Sequence, residues 1–183
     1  KPGIIDASLL ASIVKQDIMP FCQAMPSSFV AHYPEWPLTL DGMLNGNLKR
    51  MDISHFKVSL PTAFSVDANG HAENVTDMKS LLANLDIKAR TYDLDFVTSL
   101  AGMDSRSTIA IPQGITLDGN LQADGLRYEA NLIARQDSGS ITIDGMFDMD
   151  AESYQAQLNI DRINLHNFMP TDSLYHFSGT VDV

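Results

Sequence analysis

The strongest constraint in the sequence is a short string that recurs three times and alternates apolar with polar residues. Its copies are Leu38-Thr39-Leu40-Asp41-Gly42-Met43-Leu44, Ile115-Thr116-Leu117-Asp118-Gly119-Asn120-Leu121 and Ile141-Thr142-Ile143-Asp144-Gly145-Met146-Phe147. Because successive side chains of a β-strand point to opposite faces, this spacing predicts strands with one apolar and one polar face. The glycine replaces an apolar side chain, which is typical of a bulge or of a close approach between backbones. Repetition of the string predicts a repetitive β fold.

The same alternation runs through most of the chain and predicts a mainly β fold. We expect a long, twisted antiparallel sheet of repeated four-stranded units, folded over an apolar interior like a groove, with short helices between the units. The candidate residues of the apolar groove are Leu40, Leu44, Phe56, Val58, Leu60, Phe64, Val66, Leu85, Ile87, Ile115, Leu117, Leu121, Leu126, Tyr128, Leu132, Ile141, Ile143, Phe147, Tyr154, Leu158 and Ile160.

Three segments interrupt the alternation and predict helical structure. They are a helix from Asp6 to Met19, a short helix from Asp93 to Ala101 that ends at Gly102, and a helical turn from Asn164 to Met169 that ends at Pro170. The predicted organisation is a helix and connecting segment at the end of a preceding unit (1–36), a first β repeat (37–92), a helical connector (93–113), a second β repeat (114–163), and a connector with the start of a third repeat (164–183).

Composition excludes several classes of protein. The 183 residues are 44% hydrophobic, enough for the core of one domain, and the formal net charge is −11 without any block of Lys or Arg. Such a chain lacks the basic surface that nucleic acids or anionic membranes require. The single Cys22 forms no internal disulfide, and no run approaches the roughly 20 apolar residues that span a bilayer. Since the chain starts at Lys1 and stops at Val183 within a predicted strand, we expect an excised fragment.

No motif in the sequence predicts a catalytic, cofactor-binding or metal-binding residue. No two of the five histidines are spaced three or four residues apart, as metal ligands on a helix are, and no phosphate-binding loop or nucleophile elbow occurs. We therefore expect a protein that is not an enzyme. A hydrolase site assembled from distant strands, for example around Ser138 or Ser140, is the second alternative.

The order of these elements resembles a known family. A helix, the strand Pro37-Leu38-Thr39-Leu40-Asp41-Gly42, a meander, and then Asn164-Leu165-His166-Asn167-Phe168-Met169-Pro170 are similar to the repeated region of TamB- and AsmA-like envelope proteins. The resemblance covers most of the chain from about Leu38.

The resemblance implies a periplasmic β-groove with a hydrocarbon-lined interior, in a parent chain that spans the envelope and is anchored in the inner membrane. Its implied role is to move phospholipid between membranes or to assist outer-membrane assembly. The implied partners are lipid acyl chains, an outer-membrane barrel protein that acts through the intact chain, and the rest of the parent chain at both ends of the sheet.

An apolar row of side chains has the same sequence pattern in a closed core as in an open groove. The first alternative is therefore a closed β-sandwich or solenoid that serves as a scaffold or protein-interaction module through its strand edges. The residues alone do not separate this alternative from the groove.

Overall fold

A computed structural model describes residues 3–22, 24–98, 111–169 and 177–182, which form ten strands and a few short helices. The strands are β1 (Ile5–Ile13), β2 (Leu38–Asn47), β3 (Arg50–Leu60), β4 (Phe64–Glu73), β5 (Leu82–Thr91), β6 (Thr116–Asp124), β7 (Arg127–Gln136), β8 (Gly139–Asp148), β9 (Ser153–Ile163) and β10 (Phe177–Asp182). The helices are α1 (Lys15–Ile18), followed by a 3-10 turn (Met19–Cys22), α2 (Ser27–His32), α3 (Asp95–Thr98) and α4 (Leu165–Phe168).

The ten strands form one antiparallel sheet in which each strand pairs with the next along the chain. This confirms the prediction of a mainly β fold built from one long antiparallel sheet with few short helices. Within the described ranges β1 and β10 each have one neighbouring strand, so the sheet has two open edges. The division of the chain into repeat units stays a prediction.

The predicted helix from Asp6 to Met19 is wrong over most of its length, because Ile5–Ile13 is strand β1. The segment fits both periods: Leu9, Leu10 and Ile13 suit one face of a helix, whereas Ala7, Leu9 and Ala11 suit one face of a strand. Nine residues of this segment pair with β2, and this tertiary pairing overrides the helical pattern. Within the predicted span, α1 and Met19, the first residue of the 3-10 turn, remain helical.

A short helix lies in each of the two other predicted segments. Asn164 caps α4 by accepting a hydrogen bond from the His166 N–H at 3.1 Å, which confirms the predicted helical turn. The Asp93 side chain accepts from the Asp95 N–H at 3.0 Å, and α3 follows. The end predicted for this helix, at Ala101 and Gly102, and Pro170 after α4 lie outside the described residues.

The helices α2 and α3 pack against one end of the sheet, which we call the helical end. Here the rings of Phe29, Tyr33 and Phe96 pack at tilted and edge-on angles, with centroid distances of 5.4–5.8 Å, over the turn between β3 and β4. Leu60 and Ala63 of that turn region are 1% and 0% exposed. This cluster is the largest buried core among the described residues, and it covers only one end of the sheet.

Burial raises the pKa of Tyr33 above its ordinary value of 10.0, and the neighbouring Cys22 adds to the increase. The unfolded chain therefore loses the phenolic proton at lower pH than the folded chain does. We expect the free energy of unfolding to be unaffected by this group below pH 10 and to fall as the pH rises above it. Tyr33→Phe removes that alkaline loss, as measured by urea unfolding between pH 8 and pH 11. An identical alkaline slope in both proteins would contradict this assignment.

Gly119 and Gly145 occupy the same place in two copies of the recurring string but have different surroundings. A Cβ at Gly119 would collide with the backbone oxygen of Asn131 and lie 2.7 Å from Cδ2 of Leu132. At Gly145 the nearest atom is the Gln155 oxygen at 4.0 Å.

We expect Gly119→Ala to lower the free energy of unfolding by about 1–3 kcal/mol, because the neighbouring strand must shift. Gly145→Ala should be neutral or stabilising by up to about 1 kcal/mol, because alanine lowers the conformational entropy of the unfolded chain. Urea unfolding midpoints of the two variants test this, and equal destabilisation would contradict the difference in packing.

Candidate functional site

The register of the sheet stacks apolar residues into four rows that cross the strands, and together these rows form the apolar face. The first row is Ala11, Leu40, Val58, Val66, Ala89, Leu117, Ala134, Ile141, Ile160 and Gly179; the second is Leu9, Gly42, Phe56, Ala68, Ile87, Gly119, Leu132, Ile143, Leu158 and Val181. The third is Ala7, Leu44, Ile53, Gly70, Leu85, Leu121, Ala130, Gly145 and Ala156; the fourth, from β2 onwards, is Gly46, Met51, Ala72, Ala83, Ala123, Tyr128, Phe147 and Tyr154. None of these residues carries a charge.

Most candidate groove residues lie in these four rows, on one face of one sheet. Of the others, Leu60 and Phe64 continue the same face at the helical end, Ile115 directly precedes β6, and Leu126 lies in the turn between β6 and β7. Leu60 is buried in the helical-end core, so it is not accessible to a ligand. The structure thus brings the predicted strand residues together on one surface.

The prediction missed the residues that the two edge strands contribute to the apolar face. Strand β1 adds Ala7, Leu9 and Ala11, and β10 adds Gly179 and Val181. In β1 the alternation of Ile5, Ala7, Leu9, Ala11 and Ile13 was the available signal, but the adjacent Leu9 and Leu10 favoured a helix. Met51 and Ile53 were also missed, because the register shift in β3 interrupts the alternation. The alanines and glycines of the inner strands were missed because small residues give little hydrophobic signal.

Most side chains of the apolar face are half-buried, and the exposed ones lie toward its edges and at one end. The described residues form a single sheet, and few apolar side chains besides the helical-end core are buried, among them Ala72 and Ile163. Phe147 and Tyr154 are 47% and 66% exposed at the end of the face opposite the helices. Strands of nine to eleven residues are roughly 30–36 Å long at about 3.3 Å per residue. Ten strands at about 4.8 Å spacing span roughly 43 Å.

The opposite surface, which we call the polar face, carries the charged residues of the strands. One of its rows places residues of opposite charge on adjacent strands, in the order Asp41, Lys57, Asp67, Lys88 and Asp118. Asp41 also lies 3.2 Å from Nε2 of His55, and Asp118 accepts from Arg135 at 2.8 Å. Such cross-strand pairs stabilise a sheet and define which face is solvated.

The polar face also holds a shallow depression of about 600 Å³ over β7–β10. Its lining includes Arg127, Glu129, Asn131, Asp144 and Gln155. Arg127 is already paired with Glu129 at 2.7 Å, and nothing in the lining combines a nucleophile with a base. The depression therefore has the character of a solvated trough between side chains and not of an assembled active site.

The described residues around Ser140 do not form the arrangement of catalytic side chains that the hydrolase alternative needs. Ser140 lies on the polar face between Arg135 and Asp161, with no histidine directly opposite it on either neighbouring strand. No group of three or more His, Cys, Asp or Glu side chains suited to a metal ion occurs in the described part of the chain. None of its helices is long and apolar enough to cross a membrane.

Comparisons with models of protein families, with curated proteins and with solved structures find no match to this chain.

Reversal of one charge in the row that includes Lys57 tests the role of the polar face in stability. Lys57→Glu places three carboxylates on adjacent strands, at positions 41, 57 and 67, and we expect it to lower the free energy of unfolding by about 1 kcal/mol at low salt. Added salt should shrink the loss by screening. The matched control is Thr142→Glu, in the same row between Ile133 and Asn159. Equal, salt-independent losses in both variants would contradict the charge-pairing argument.

Proposed function

We propose that this chain is a non-enzymatic segment of a TamB- or AsmA-like envelope protein, whose apolar face shields lipid acyl chains from water as phospholipid moves between membranes. The observation that supports it best is the continuity of the four uncharged rows from one edge of the sheet to the other. The sequence resemblance to that family supports the same proposal.

The size of the apolar face suits a hydrocarbon ligand. The four rows occupy a sheet area on the order of 1,000 Å² at about 3.3 Å per residue and about 4.8 Å between strands, and an extended apolar surface of this kind usually marks an interaction site. The hydrocarbon core of a bilayer is ~30 Å thick, so one leaflet is about 15 Å deep. The apolar face is about twice that long in the direction of the strands. Each CH₂ group removed from water contributes about 0.8 kcal/mol, so even partial coverage of an acyl chain compensates for much of its removal from a bilayer.

The direction of the rows also favours a conduit over a closed pocket. The rows run across the strands, and both edges of the described sheet are open, so neither edge closes the apolar path. Further strands of a parent chain at these edges would lengthen the path without changing its chemistry. In this proposal the parent chain crosses the periplasm, and an outer-membrane barrel protein is its partner at one end.

Photo-crosslinking at neighbouring positions on opposite faces tests the proposal. A benzophenone side chain in place of Tyr128 lies on the apolar face, whereas the same group in place of Glu129 lies on the polar face. After incubation with phosphatidylethanolamine vesicles and irradiation, we expect lipid adducts at position 128, with at least tenfold fewer at position 129, as measured by mass spectrometry. Equal adduct yields at the two positions would refute an acyl-chain site on the apolar face.

Charge insertion provides a second test in the same design. Ile143→Asp places a carboxylate in the second apolar row, whereas Thr142→Asp places one on the polar face. We expect the first variant to lose lipid copurification and vesicle-to-vesicle lipid transfer at least tenfold, and the second to keep both. Circular dichroism of each variant establishes that the sheet is intact. Loss of transfer in both folded variants, or in neither, would count against the proposal.

A further inference from the structure

The apolar face is closed by side chains at the helical end. The positions two residues beyond the first row are buried there on two inner strands, since Leu60 of β3 is 1% exposed and Gln136 of β7 is 5% exposed. Leu60 packs in the core that contains Phe29, Tyr33 and Phe96. The protein itself therefore occupies the space into which a hydrocarbon chain would extend past the first row.

The opposite end of the strands, which we call the rim, has no helix among the described residues. It consists of the turns β2–β3, β6–β7 and β8–β9 and the loop between β4 and β5. Backbone hydrogen bonds of 2.7–3.2 Å join each of these connections to the next, namely Val75 to Leu48, Gly125 to Leu81 and Met149 to Leu126. Leu48, Met78 and Met149 are 50–55% exposed. The apolar surface therefore continues onto a rim that is in contact with water.

The rim carries charges of both signs next to the apolar face. A cleft of about 460 Å³ lies between the β4–β5 loop and the turns that follow β6 and β8, and its lining includes Lys79, Asp124 and Arg127. Asp124 and Arg127 are the sequence neighbours of Ala123 and Tyr128 in the fourth apolar row. The surface thus changes within one residue from hydrocarbon to charge, as a phospholipid does between its acyl chains and a zwitterionic headgroup.

The distance between the rim and the helical end fits the depth of one lipid leaflet. On the inner strand β6 the rows run from Leu117 in the first to Ala123 in the fourth, which is about 20 Å at about 3.3 Å per residue. One leaflet contributes about 15 Å, half of the hydrocarbon core of a bilayer. An acyl chain that lies along a strand is therefore accommodated between the two ends of the face.

We propose that phospholipid binds with its acyl chains parallel to the strands, with their methyl ends at the helical end and the headgroup at the rim. The inference rests on the proposed function, because it takes acyl chains as the ligand. The reverse orientation would place a phosphate against the helical-end core, in which none of the buried residues carries a charge. During transport the chains move sideways from strand to strand, and the headgroup stays in water along the rim.

Photoreactive phospholipids test the orientation on the unmodified chain. Vesicles of phosphatidylethanolamine carry a diazirine either at the methyl end of an acyl chain or beside its carbonyl group. After incubation, removal of the vesicles and irradiation, peptide mass spectrometry locates the labelled residues. We expect the methyl-end probe to label the first two rows at least fivefold more than the fourth row, and the carbonyl-end probe to show the opposite preference.

The outcomes separate the orientation from the proposed function. Equal or inverted distributions of the two labels on the apolar face would overturn the orientation and leave an acyl-chain site in place. Absence of both labels from the apolar face would overturn the proposed function and the orientation together.

Tryptophan quenching provides a second measurement at matched positions. In a Trp36→Phe background, Leu117→Trp reports on the first row and Tyr128→Trp on the fourth. Ile133→Trp, on the polar face, is the control. With phosphatidylcholine brominated near the methyl end, we expect at least twofold more quenching at position 117 than at 128, and the reverse with bromine near the carbonyl group. The control should respond to neither lipid. The same order of quenching with both lipids would contradict the orientation.

Discussion

The structure depends on the antiparallel register that pairs all ten strands, with shifts near Ser54 of β3 and Ser178 of β10. Because side chains alternate between the two faces, a slip of one residue in any strand would move its charges onto the apolar face. Short turns maintain the register, including the two-residue connections Gly125-Leu126 and Asp137-Ser138, in which Gly125 and Asp137 have φ of 58° and 52°. All ten strands consequently contribute to the same uncharged surface.

The buried core is confined to one end of the strands. The aromatic cluster of α2 and α3 supplies a buried core at the helical end, where Leu60 is 1% exposed. Beyond that core, the strands are held by their ladders of backbone hydrogen bonds and by cross-strand ion pairs such as Arg135 with Asp118. The four apolar rows lie outside this core, and no second layer of the described residues covers them.

The alternation in the sequence was sufficient to predict the inner strands and the face on which their large apolar residues lie, except for Met51 and Ile53, which precede the register shift in β3. It failed at β1, since Leu9 and Leu10 fit a helix equally well and the deciding partner, β2, lies more than 24 residues away. It also assigned Leu60 to the groove, because burial under Phe29 and Phe96 is a tertiary effect that periodicity does not encode. Ala83 and Ala123 could not be found, because alanine is neutral in such patterns.

The composition of the apolar face determines how selective it can be. Apart from the hydroxyl groups of Tyr128 and Tyr154, its four rows offer no polar side chain to orient a ligand. Rejection of close analogues requires specific hydrogen bonds, which this surface does not supply. Such a surface distinguishes ligands only by their hydrophobicity and their width. If acyl chains are the cargo, the face binds hydrocarbon of any phospholipid, and selection among headgroups has to occur where the lipid enters or leaves the sheet.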